Sequence, residues 1–469
     1  MCLNLSSHYN PKIFSHSSKH SRFRHRTRML RGIEHINITY QAGLTGKGMV
    51  QINTIQLENF KAFKNSKCIK LAKINLVVGK NSAGKSSLVK SILGASQTAR
   101  ERKMDNSDFR LVGDLADLGT FKDTIHGKEE NSKFSISFGI QAPNRRHDHV
   151  LTLKYTYKKG PRLVSATVSG IKAFVGKDLV CSAKGSYKNQ NKFKLGMSGQ
   201  VLSHTRIEDT SHIELNQPEV EIPEILRKLN QFIADERGAD SETKEDVTKQ
   251  VMVLNDMYIR IVQLVKYEKK DVWHTANTFS TDNDVLSEVS GASRAIDTIL
   301  TNCVYIGPLR DEPSRSARLA VSSGNSSGKK GENLAVMLHS NLEDTDFKDK
   351  FNHYLKKLGI ADGIITSESY LSVSKMDSKT GYINILLEKN GQYNTLVDVG
   401  FGTSQVLPVV FELMAQKNRL ILIEQPELHL HPSAQAEIGD LLVDSMKRKN
   451  QLIVETHSVT LIERVRRLI

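Results

Sequence analysis

The sequence predicts an α/β protein in which a mixed sheet with flanking helices is joined to an antiparallel β-subdomain and an inserted helical lobe. An apolar run, a glycine-containing loop and a helical apolar pattern follow one another over residues 74–93. Apolar and polar residues then alternate over residues 134–157, as in half-buried antiparallel strands. Two short apolar runs, at residues 420–423 and 452–454, are typical of strands buried on both faces. Strands of both kinds combined with helices indicate a mixed α/β architecture.

The order of these patterns divides the chain into an extension, two halves of one head and a lobe between them. Residues 49–200 carry the glycine loop and the alternating strands, and residues 304–469 carry the two buried-strand patterns. Between them, residues 201–303 contain apolar residues at helical spacing, such as Ile225 and Leu229. We therefore predict a helical lobe at 201–303, which is too short to form long coiled-coil arms.

The connection from this lobe to the C-terminal strands carries two arginines and a loop without periodicity. Arg310 and Arg315 follow the lobe, and each could contact phosphate or DNA or simply anchor its own loop. The Ser-, Gly- and Lys-rich residues 322–330 are expected to be mobile or bound to a partner. Two further strands are predicted around residues 370–374 and 383–388.

The first 48 residues differ in composition from the rest. They are rich in Ser, His, Arg and Lys, with Arg22, Arg24, Arg26 and Arg28 at alternate positions and Glu34 as their only acid. A segment of this kind cannot bury a core, so residues 1–48 are expected to be a basic, disordered extension. It is either a basic arm for nucleic acid or an upstream extension that precedes a natural start at Met49.

The bulk composition limits the partners and the location. The chain has 469 residues, 66 Lys and Arg against 51 Asp and Glu, and a formal charge of +15. This charge favours an anionic partner, with nucleic acid first, or a basic surface that only improves solubility. No apolar run approaches the roughly 20 residues of a membrane span, so no membrane segment is expected. The cysteines lie far apart and predict reduced thiols in a cytoplasmic protein: Cys2, Cys68, Cys181 and Cys303.

Residues 79–86 read Gly-Lys-Asn-Ser-Ala-Gly-Lys-Ser and match the P-loop motif in its expected place between a strand and a helix. Gly79 and Gly84 permit a tight path whose backbone amides, with the helix N-terminus, can hold a polyphosphate. Lys85 is expected to reach the outer phosphates and Ser86 to bind Mg²⁺. The alternative is a surface loop of the same composition. The predicted nucleotide contacts are Gly79, Lys80, Asn81, Ser82, Ala83, Gly84, Lys85, Ser86 and Ser87.

Three segments near the C-terminus predict the second half of a nucleotide site. Four apolar residues place Glu424 at the carboxyl end of a buried strand, as expected for a Walker B acid that helps to hold Mg²⁺. The next apolar strand delivers His457 to the same edge, where it could sense the γ-phosphate. Gly402 and Ser404 open a helix predicted at residues 406–416, and an exposed Ser404 there would help to bind an anion. Taken singly, these features are also an ordinary strand end, an edge histidine and a plain turn.

These segments, in this order, resemble the ABC-type ATPase heads of the RecF, structural-maintenance-of-chromosomes and overcoming-lysogenization-defect group. Residues 399–408, 423–432 and 455–458 look especially like AAA-family ATPases of antiphage defence, such as the ATPase subunit of Septu. The resemblance covers residues 49–140 and 304–469. It implies a P-loop NTPase head of ABC type that uses ATP and Mg²⁺. The catalytic positions that it implies are Glu424, Gln425, Glu427 and His457.

The resemblance also implies that two chains complete each site. In such heads the signature segment of one protomer, here Gly402 and Ser404, closes on the ATP held by the P-loop of another. A homodimer or higher homo-oligomer is therefore expected, with residues 431–435 as the D-loop at its interface.

One departure from the family pattern concerns the rate of hydrolysis. Such heads usually carry a glutamate directly after the Walker B acid, whereas this chain has Gln425. A general base contributes about 10²–10⁴-fold, so slow turnover and a switch-like ATP-bound dimer are expected. Alternatively Glu427 supplies the carboxylate across the intervening Pro426. The acidic motifs of a fused Toprim nuclease are absent from the sequence, so a nuclease would be a separate protein.

These observations favour a regulatory ATPase that oligomerises around Mg²⁺-ATP and controls a separate effector, expected to be a nuclease, in antiphage defence. One alternative is a RecF-like DNA repair or recombination ATPase that grips duplex DNA with its positive surface. The other is a non-hydrolysing ATP-binding scaffold in which Gln425 abolishes turnover.

Overall fold

The structure is a computed structural model, and the residues that it describes are 23–30, 33–40, 50–80, 83–102, 109–129, 131–141, 150–160, 164–175, 177–185, 193–197, 285–318, 326–372 and 379–469. Its strands are β1 (Phe23–Leu30), β2 (Ile33–Tyr40), β3 (Ile52–Phe60), β4 (Phe63–Asn65), β5 (Ile69–Lys70), β6 (Ile74–Gly79), β7 (Phe109–Arg110), β8 (Phe134–Gln141), β9 (Val150–Lys159), β10 (Ser165–Val175), β11 (Asp178–Gly185), β12 (Phe193–Met197), β13 (Val304–Ile306), β14 (Ala317–Arg318), β15 (Gly363–Ser372), β16 (Lys379–Lys389), β17 (Gln392–Thr395), β18 (Leu420–Glu424) and β19 (Gln451–Glu455). Its α-helices are α1 (Lys85–Arg102), α2 (Phe121–Thr124), α3 (Val285–Thr301), α4 (Leu334–Asn341), α5 (Thr345–Lys357), α6 (Phe401–Ala415), α7 (Pro432–Lys447) and α8 (Val459–Leu468).

The central sheet places the P-loop strand beside the strands from the C-terminal part of the chain. Its order is β1-β2-β6-β19-β18-β13, in which β6, β19, β18 and β13 run parallel. The register pairs Glu424 with Glu455 and Glu455 with Val77. The carboxyl ends of β18 and β19 therefore lie at the same edge as the loop that follows β6, as the sequence predicts.

The parallel strands are buried on both faces because successive residues face two different hydrophobic clusters. In β18, Leu420 and Leu422 pack with helix α1 and the antiparallel sheet, whereas Ile421 and Ile423 pack with the C-terminal helices. All four side chains are at most 1% exposed. This two-sided burial explains why the strand reads as a continuous apolar run instead of an alternation.

The predicted antiparallel sheet is confirmed and carries nine strands. Its main path is β12-β11-β10-β9-β8-β3-β4, with β5 paired to β3 and β7 paired to β10. Aromatic rings fill its inner face around Phe134, whose ring centroid lies 5.5 Å from that of Phe60 and 4.9 Å from that of Tyr157. These buried rings hold α1 and the sheet in one core.

A third sheet, in the order β14-β16-β15 with β17 paired to β16, is formed by strands that lie between β13 and β18 along the chain. The strand predicted around 370–374 overlaps β15 over residues 370–372, and residues 373–374 lie outside the described residues, whereas the strand predicted around 383–388 lies within β16. Helix α5 precedes them, and the Asp344 side chain caps it by accepting from the amides of Asp346 and Phe347.

Gln451, at the start of β19, links the central sheet to the antiparallel sheet. The side chain is 1% exposed, and its Nε2 donates to the carbonyl oxygens of Ile52 at 2.8 Å and Ala72 at 3.0 Å. Its Oε1 accepts from the Ile52 amide at 3.2 Å. One buried side-chain amide thus hydrogen-bonds to both backbone groups of Ile52 and to the Ala72 carbonyl, which also accepts from Asn75 Nδ2 at 2.8 Å.

The structure differs from the disorder expected for residues 1–48. Residues 23–30 and 33–40 form β1 and β2, and β2 pairs antiparallel with β6. The composition argument counts apolar burial, whereas β1 and β2 are held in the sheet by backbone hydrogen bonds that almost any residue can make. The remaining residues of this extension lie outside the described part of the chain.

The loop expected to be mobile or partner-bound is held within the protein over residues 326–330. Ser326 Oγ donates to the buried Glu412 carboxylate at 2.9 Å, and the Ser327 amide donates to the same oxygen. Lys329 Nζ donates to the Asp114 carbonyl at 2.6 Å. Residues 319–325 are not among those described.

Most of the predicted helical lobe, residues 201–284, also lies outside the described residues. Its last part forms α3, in which Ile296 is fully buried. Ile296 belongs to the same hydrophobic cluster as α1, so this end of the segment packs on the head.

Candidate functional site

The glycine loop between β6 and α1 has the backbone form that phosphate binding needs. Gly79 has a φ of 145° and Gly84 a φ of 104°, values that side-chain-bearing residues rarely adopt. Helix α1 begins at Lys85 and carries no acidic residue in its first turn, so the positive end of its dipole is left for an anion. Asn81 and Ser82 lie outside the described residues.

Lys85 is buried at the base of this loop. The residue is 4% exposed, and its Nζ donates to the carbonyl oxygens of Gly79 at 3.0 Å and Lys80 at 3.1 Å. The same Nζ lies 3.9 Å from Glu455 Oε1. The neighbouring Ser86 is exposed and Ser87 is half-buried, so both hydroxyls lie at the surface end of the loop.

Two carboxylates end neighbouring strands opposite Lys85. Tyr305 donates to Glu424 Oε1 at 2.8 Å. Burial raises the pKa of Glu424, and this hydrogen bond opposes the rise. Burial and the adjacent Glu424 charge raise the pKa of Glu455 to about 7, whereas Lys85 and a hydrogen bond from Ser86 oppose the rise. Sequence reasoning missed Glu455 and Tyr305, although Glu455 ends the strand that was predicted to deliver His457.

These groups fit Mg²⁺-ATP. Glu455 Oε2 is buried and has no hydrogen-bond partner among the described residues. Mg²⁺ in nucleotide sites takes one or two carboxylates together with phosphate and water oxygens, and Ser86, Glu424 and Glu455 offer oxygens of that kind. A buried ammonium beside a glycine loop fits the polyphosphate. When bound, the metal supplies charge neutralisation between the phosphates.

The turn after β18 is hydrogen-bonded to the end of β19 and to the loop that bears His457. Gln425 adopts a φ of 48°, and its amide donates to the Glu455 carbonyl at 2.7 Å. Glu427 is 8% exposed, and its Oε1 accepts from the His457 amide at 2.7 Å. Glu427 therefore fixes the start of the His457 loop, while the His457 side chain itself is exposed at the edge.

The signature segment differs from its prediction. Helix α6 begins at Phe401 instead of 406, so Gly402 and Ser404 lie inside its first turn. Ser404 is only 6% exposed, and its hydroxyl donates to the Phe401 carbonyl at 2.7 Å, so the expected exposed hydroxyl is wrong for this chain. Gly402 lies against the loop after β18, where an added Cβ would come within 2.5 Å of the His429 carbonyl oxygen.

The predicted D-loop, residues 431–435, forms the N-terminal start of α7. His431 caps this helix by accepting from the Ser433 amide at 3.3 Å. Gln435 Nε2 donates to the Leu430 carbonyl at 3.0 Å, and its Oε1 accepts from Ser458 Oγ at 2.6 Å. The segment is thus tied to the residue that follows His457.

Among the described helices, none combines the length and the apolar composition of a bilayer span. The same residues contain no group of three or more His, Cys, Asp or Glu side chains arranged to hold a metal ion.

Comparison with known proteins gives one family and several distant structures. The AAA ATPase domain family matches residues 50–462. No curated protein matches the chain. A similar solved structure is the Smc head domain with an extended coiled coil from Pyrococcus furiosus, bound to the C-terminal domain of ScpA, with 12% identity, 89% of this chain and 92% of that chain covered, and a TM-score of 0.33. The Smc head domain with a coiled coil and joint from Pyrococcus yayanosii has 12% identity, coverage of 89% and 94%, and a TM-score of 0.35. The SMC head domain from Thermotoga maritima has 11% identity, coverage of 88% and 92%, and a TM-score of 0.33.

Proposed function

Because the chain belongs to the AAA ATPase domain family, which implies ATP binding and hydrolysis, we propose that the carboxyl edge of the central sheet is its ATPase site. The observation that carries the proposal is the meeting of Lys85, Glu455 and Glu424 at the loop after β6. Lys85 comes from the N-terminal half of the head, whereas both glutamates come from its C-terminal half. Lys85 binds the outer phosphates, residues 79–87 cradle them, and Ser86 and Glu424 hold Mg²⁺. His457 reaches the γ-phosphate from the same edge.

We propose slow hydrolysis because Gln425 stands where a general base is expected. The alternative carboxylate, Glu427, already accepts from the His457 amide through Oε1 and is largely buried. Glu427 is therefore better placed to hold the His457 loop than to activate water.

The wild-type turnover of ATP, compared with those of Lys85→Ala and Glu424→Gln, tests this function. Both variants should lose at least about 100-fold, since Lys85→Ala removes a cation that stabilises the transferring phosphoryl group and Glu424→Gln removes a carboxylate that would hold Mg²⁺. Lys350→Ala is the matched control, because Lys350 is exposed and pairs only with Asp346 among the described residues. If the wild type hydrolyses ATP no faster than the two variants, the ATPase function is wrong and the non-hydrolysing scaffold is favoured instead.

Gln425→Glu tests the reason for slow turnover. The substitution keeps the size of the side chain and adds the missing carboxylate, so turnover should rise by about 10-fold or more. Turnover is measured by phosphate release at saturating Mg²⁺-ATP. An unchanged or lower rate would show that Gln425 does not limit hydrolysis.

We also propose that Mg²⁺-ATP joins two copies of the chain through the signature segment. Three large apolar side chains near the site are exposed, namely Leu309 at 79% after β13, Phe401 at 48% at the start of α6 and Val459 at 71% at the start of α8. Sedimentation velocity with and without Mg²⁺-ATP tests this step. The wild type should shift to a dimer or larger species, and Phe401→Gln should weaken that shift.

The remaining step is control of a separate nuclease effector in antiphage defence. Its support is the resemblance of the three C-terminal motif segments to defence ATPases. Protection of cells against phage by this chain and its neighbouring gene, lost with Lys85→Ala, tests it. Salt-dependent duplex binding by the isolated chain would instead favour a DNA repair ATPase.

A further inference from the structure

Arg310 lies directly beside the turn that ends the Walker B strand. It follows β13, in which Ile306 pairs with Ile423 of β18, and it is 6% exposed. Its Nη2 donates to the Glu424 carbonyl at 3.0 Å and to the Gln425 carbonyl at 3.3 Å. One guanidinium nitrogen thus holds two successive peptide groups of this turn.

This turn needs an external hold. Gln425 has a φ of 48°, in the left-handed region that residues other than glycine rarely occupy. The Gln425 N–H donates a hydrogen bond to the Glu455 carbonyl, and the Gln425 carbonyl accepts one from Arg310. The two contacts set the direction in which the Glu424 side chain leaves the strand.

The backbone of the same arginine is held by the signature helix. Gln405, on α6, is 3% exposed, and its Nε2 donates to the Asp311 carbonyl at 3.2 Å and to the Arg310 carbonyl at 3.5 Å. Gln405 is one residue beyond Ser404 in this helix. Residue 310 therefore connects the Walker B turn, through its side chain, to the signature helix, through its main chain.

The backbone on both sides of Arg310 is hydrogen-bonded to the loop that precedes α4. The Gly307 amide donates to the Lys329 carbonyl at 2.8 Å, and the Asp311 amide donates to the Lys330 carbonyl at 3.0 Å. Arg310 Nε and Nη1 are buried and have no hydrogen-bond partner among the described residues. Burial lowers the pKa of Arg310 to about 10, and the nearby Glu427 charge opposes that shift. The main chain of Arg310 is thus held in place, while Nε and Nη1 remain available to form hydrogen bonds if the Glu424–Gln425 turn moves.

We propose that Arg310 is a positioning residue that couples the Glu424–Gln425 turn to helix α6, so that nucleotide at the P-loop sets the position of the Gly402 segment. The inference rests on the proposed ATPase function. It assigns no contact between Arg310 and the nucleotide, so it predicts a loss of turnover and of closure without a matching loss of ATP affinity.

The primary test is Arg310→Lys in the full chain. Lysine keeps the positive charge but carries it as a compact ammonium on a flexible stem, without the planar guanidinium that places Nη2 between the two carbonyls. Affinity for a fluorescent ATP analogue with Mg²⁺ should stay within about threefold of wild type, while turnover and ATP-driven self-association fall by about 10-fold or more. Hydrogen exchange of the amides in residues 401–415 should slow on ATP binding in the wild type and not in the variant. Arg466→Lys, at an exposed arginine paired with Glu463, is the matched control and should behave as wild type.

A second variant, Gln405→Met, cuts the connection at its other end and serves if Arg310→Lys does not fold. It removes the donor to the Arg310 and Asp311 carbonyls and should give the same separation of affinity from turnover. Because both changes break one connection, the loss in the double variant should be smaller than the product of the single losses.

The outcomes separate the inference from the function on which it rests. A wild type that neither binds nor hydrolyses ATP contradicts the proposed function. If the wild type hydrolyses ATP and Arg310→Lys or Gln405→Met stays within twofold of it, the coupling is wrong and the function stands. Equal losses of affinity and turnover would show a merely structural arginine and would also overturn the inference.

Discussion

Glu424 and Glu455 are carboxylates that end adjacent parallel strands, and burial weakens the hydration of both. Glu455 is 6% exposed and lies 3.9 Å from Lys85 Nζ. Burial and the Glu424 charge nevertheless raise its pKa to about 7. Strongly perturbed carboxylates of this kind gather where proteins bind charged ligands.

The raised pKa of Glu455 predicts a pH-dependent stability in nucleotide-free, metal-free protein. Between its ordinary pKa near 4.5 and the raised value of about 7, the folded state binds the proton more tightly than the unfolded state, so the free energy of unfolding falls as pH rises through this window. Glu455→Gln removes this titration. The variant's melting temperature, relative to wild type, should be higher at pH 8 than at pH 5 in EDTA.

The control for this measurement is Glu463→Gln, because Glu463 is exposed on α8 and its carboxylate pairs with Arg466. Its melting temperature relative to wild type should change little over the same range. A constant difference between Glu455→Gln and wild type would contradict the predicted titration.

Individual site residues could be predicted where a local motif carries them. Lys85 and Glu424 lie where the P-loop and the strand pattern place them. Glu455 and Tyr305 have no role predicted from the sequence, and for Arg310 the sequence leaves open a contact to phosphate or DNA or the anchoring of a loop, because their partners lie far along the chain. The Arg310 bond to the Glu424 carbonyl joins residues 114 positions apart, and no local pattern encodes such a contact.

At the scale of elements, the start of helix α6 decides what the signature segment presents. The helix begins at Phe401, and the side chain of Ser404 turns back to the Phe401 carbonyl. Glycines near a predicted helix start suggested an opening loop, whereas Gly402 is needed for close packing against the His429 carbonyl. The strands β1 and β2 show the same limit, since pairing by backbone hydrogen bonds leaves little trace in composition.

Gly402→Ala should destabilise this element. An added Cβ would lie 2.5 Å from the His429 carbonyl oxygen, so the loop after β18 must shift. Overpacking of this kind costs about 1–3 kcal/mol, to be measured by denaturant unfolding. Gly400→Ala is the matched control two residues away, since a Cβ there meets nothing within 4 Å, and it should cost less than about 1 kcal/mol. Equal costs for the two variants would show that close packing does not explain Gly402.

At the scale of the molecule, the central sheet is a layer between two hydrophobic clusters. The class of fold could be predicted because buried parallel strands and alternating antiparallel strands have different periods. The sheet order could not, since it depends on which distant strands meet. Gln451 illustrates this, because nothing in its strand predicts a side chain that binds Ile52 of the other sheet and Ala72 of the connection between β5 and β6.

Gln451→Met tests this connection between the sheets. The substitution keeps much of the side-chain volume but removes the hydrogen bonds to the amide and the carbonyl of Ile52, while the Ala72 carbonyl keeps its bond from Asn75 Nδ2. We therefore expect the free energy of unfolding to fall by about 2–4 kcal/mol. Chemical denaturation measures it, with exposed Gln392→Met as the control. If Gln451→Met lowers the free energy of unfolding by less than the control variant does, the side-chain hydrogen bonds of Gln451 do not stabilise the contact between the two sheets.

The neighbours of β6 also bear on synthesis. On one side β6 pairs with β19, and Asn75 Nδ2 donates to the Leu452 carbonyl across 377 positions. A ribosome must therefore synthesise the chain as far as β19 before the phosphate loop gains this support, and until then the edge of β6 that pairs with β19 has no partner strand. Nascent chains shorter than about 450 residues should consequently depend on chaperones and retain little nucleotide.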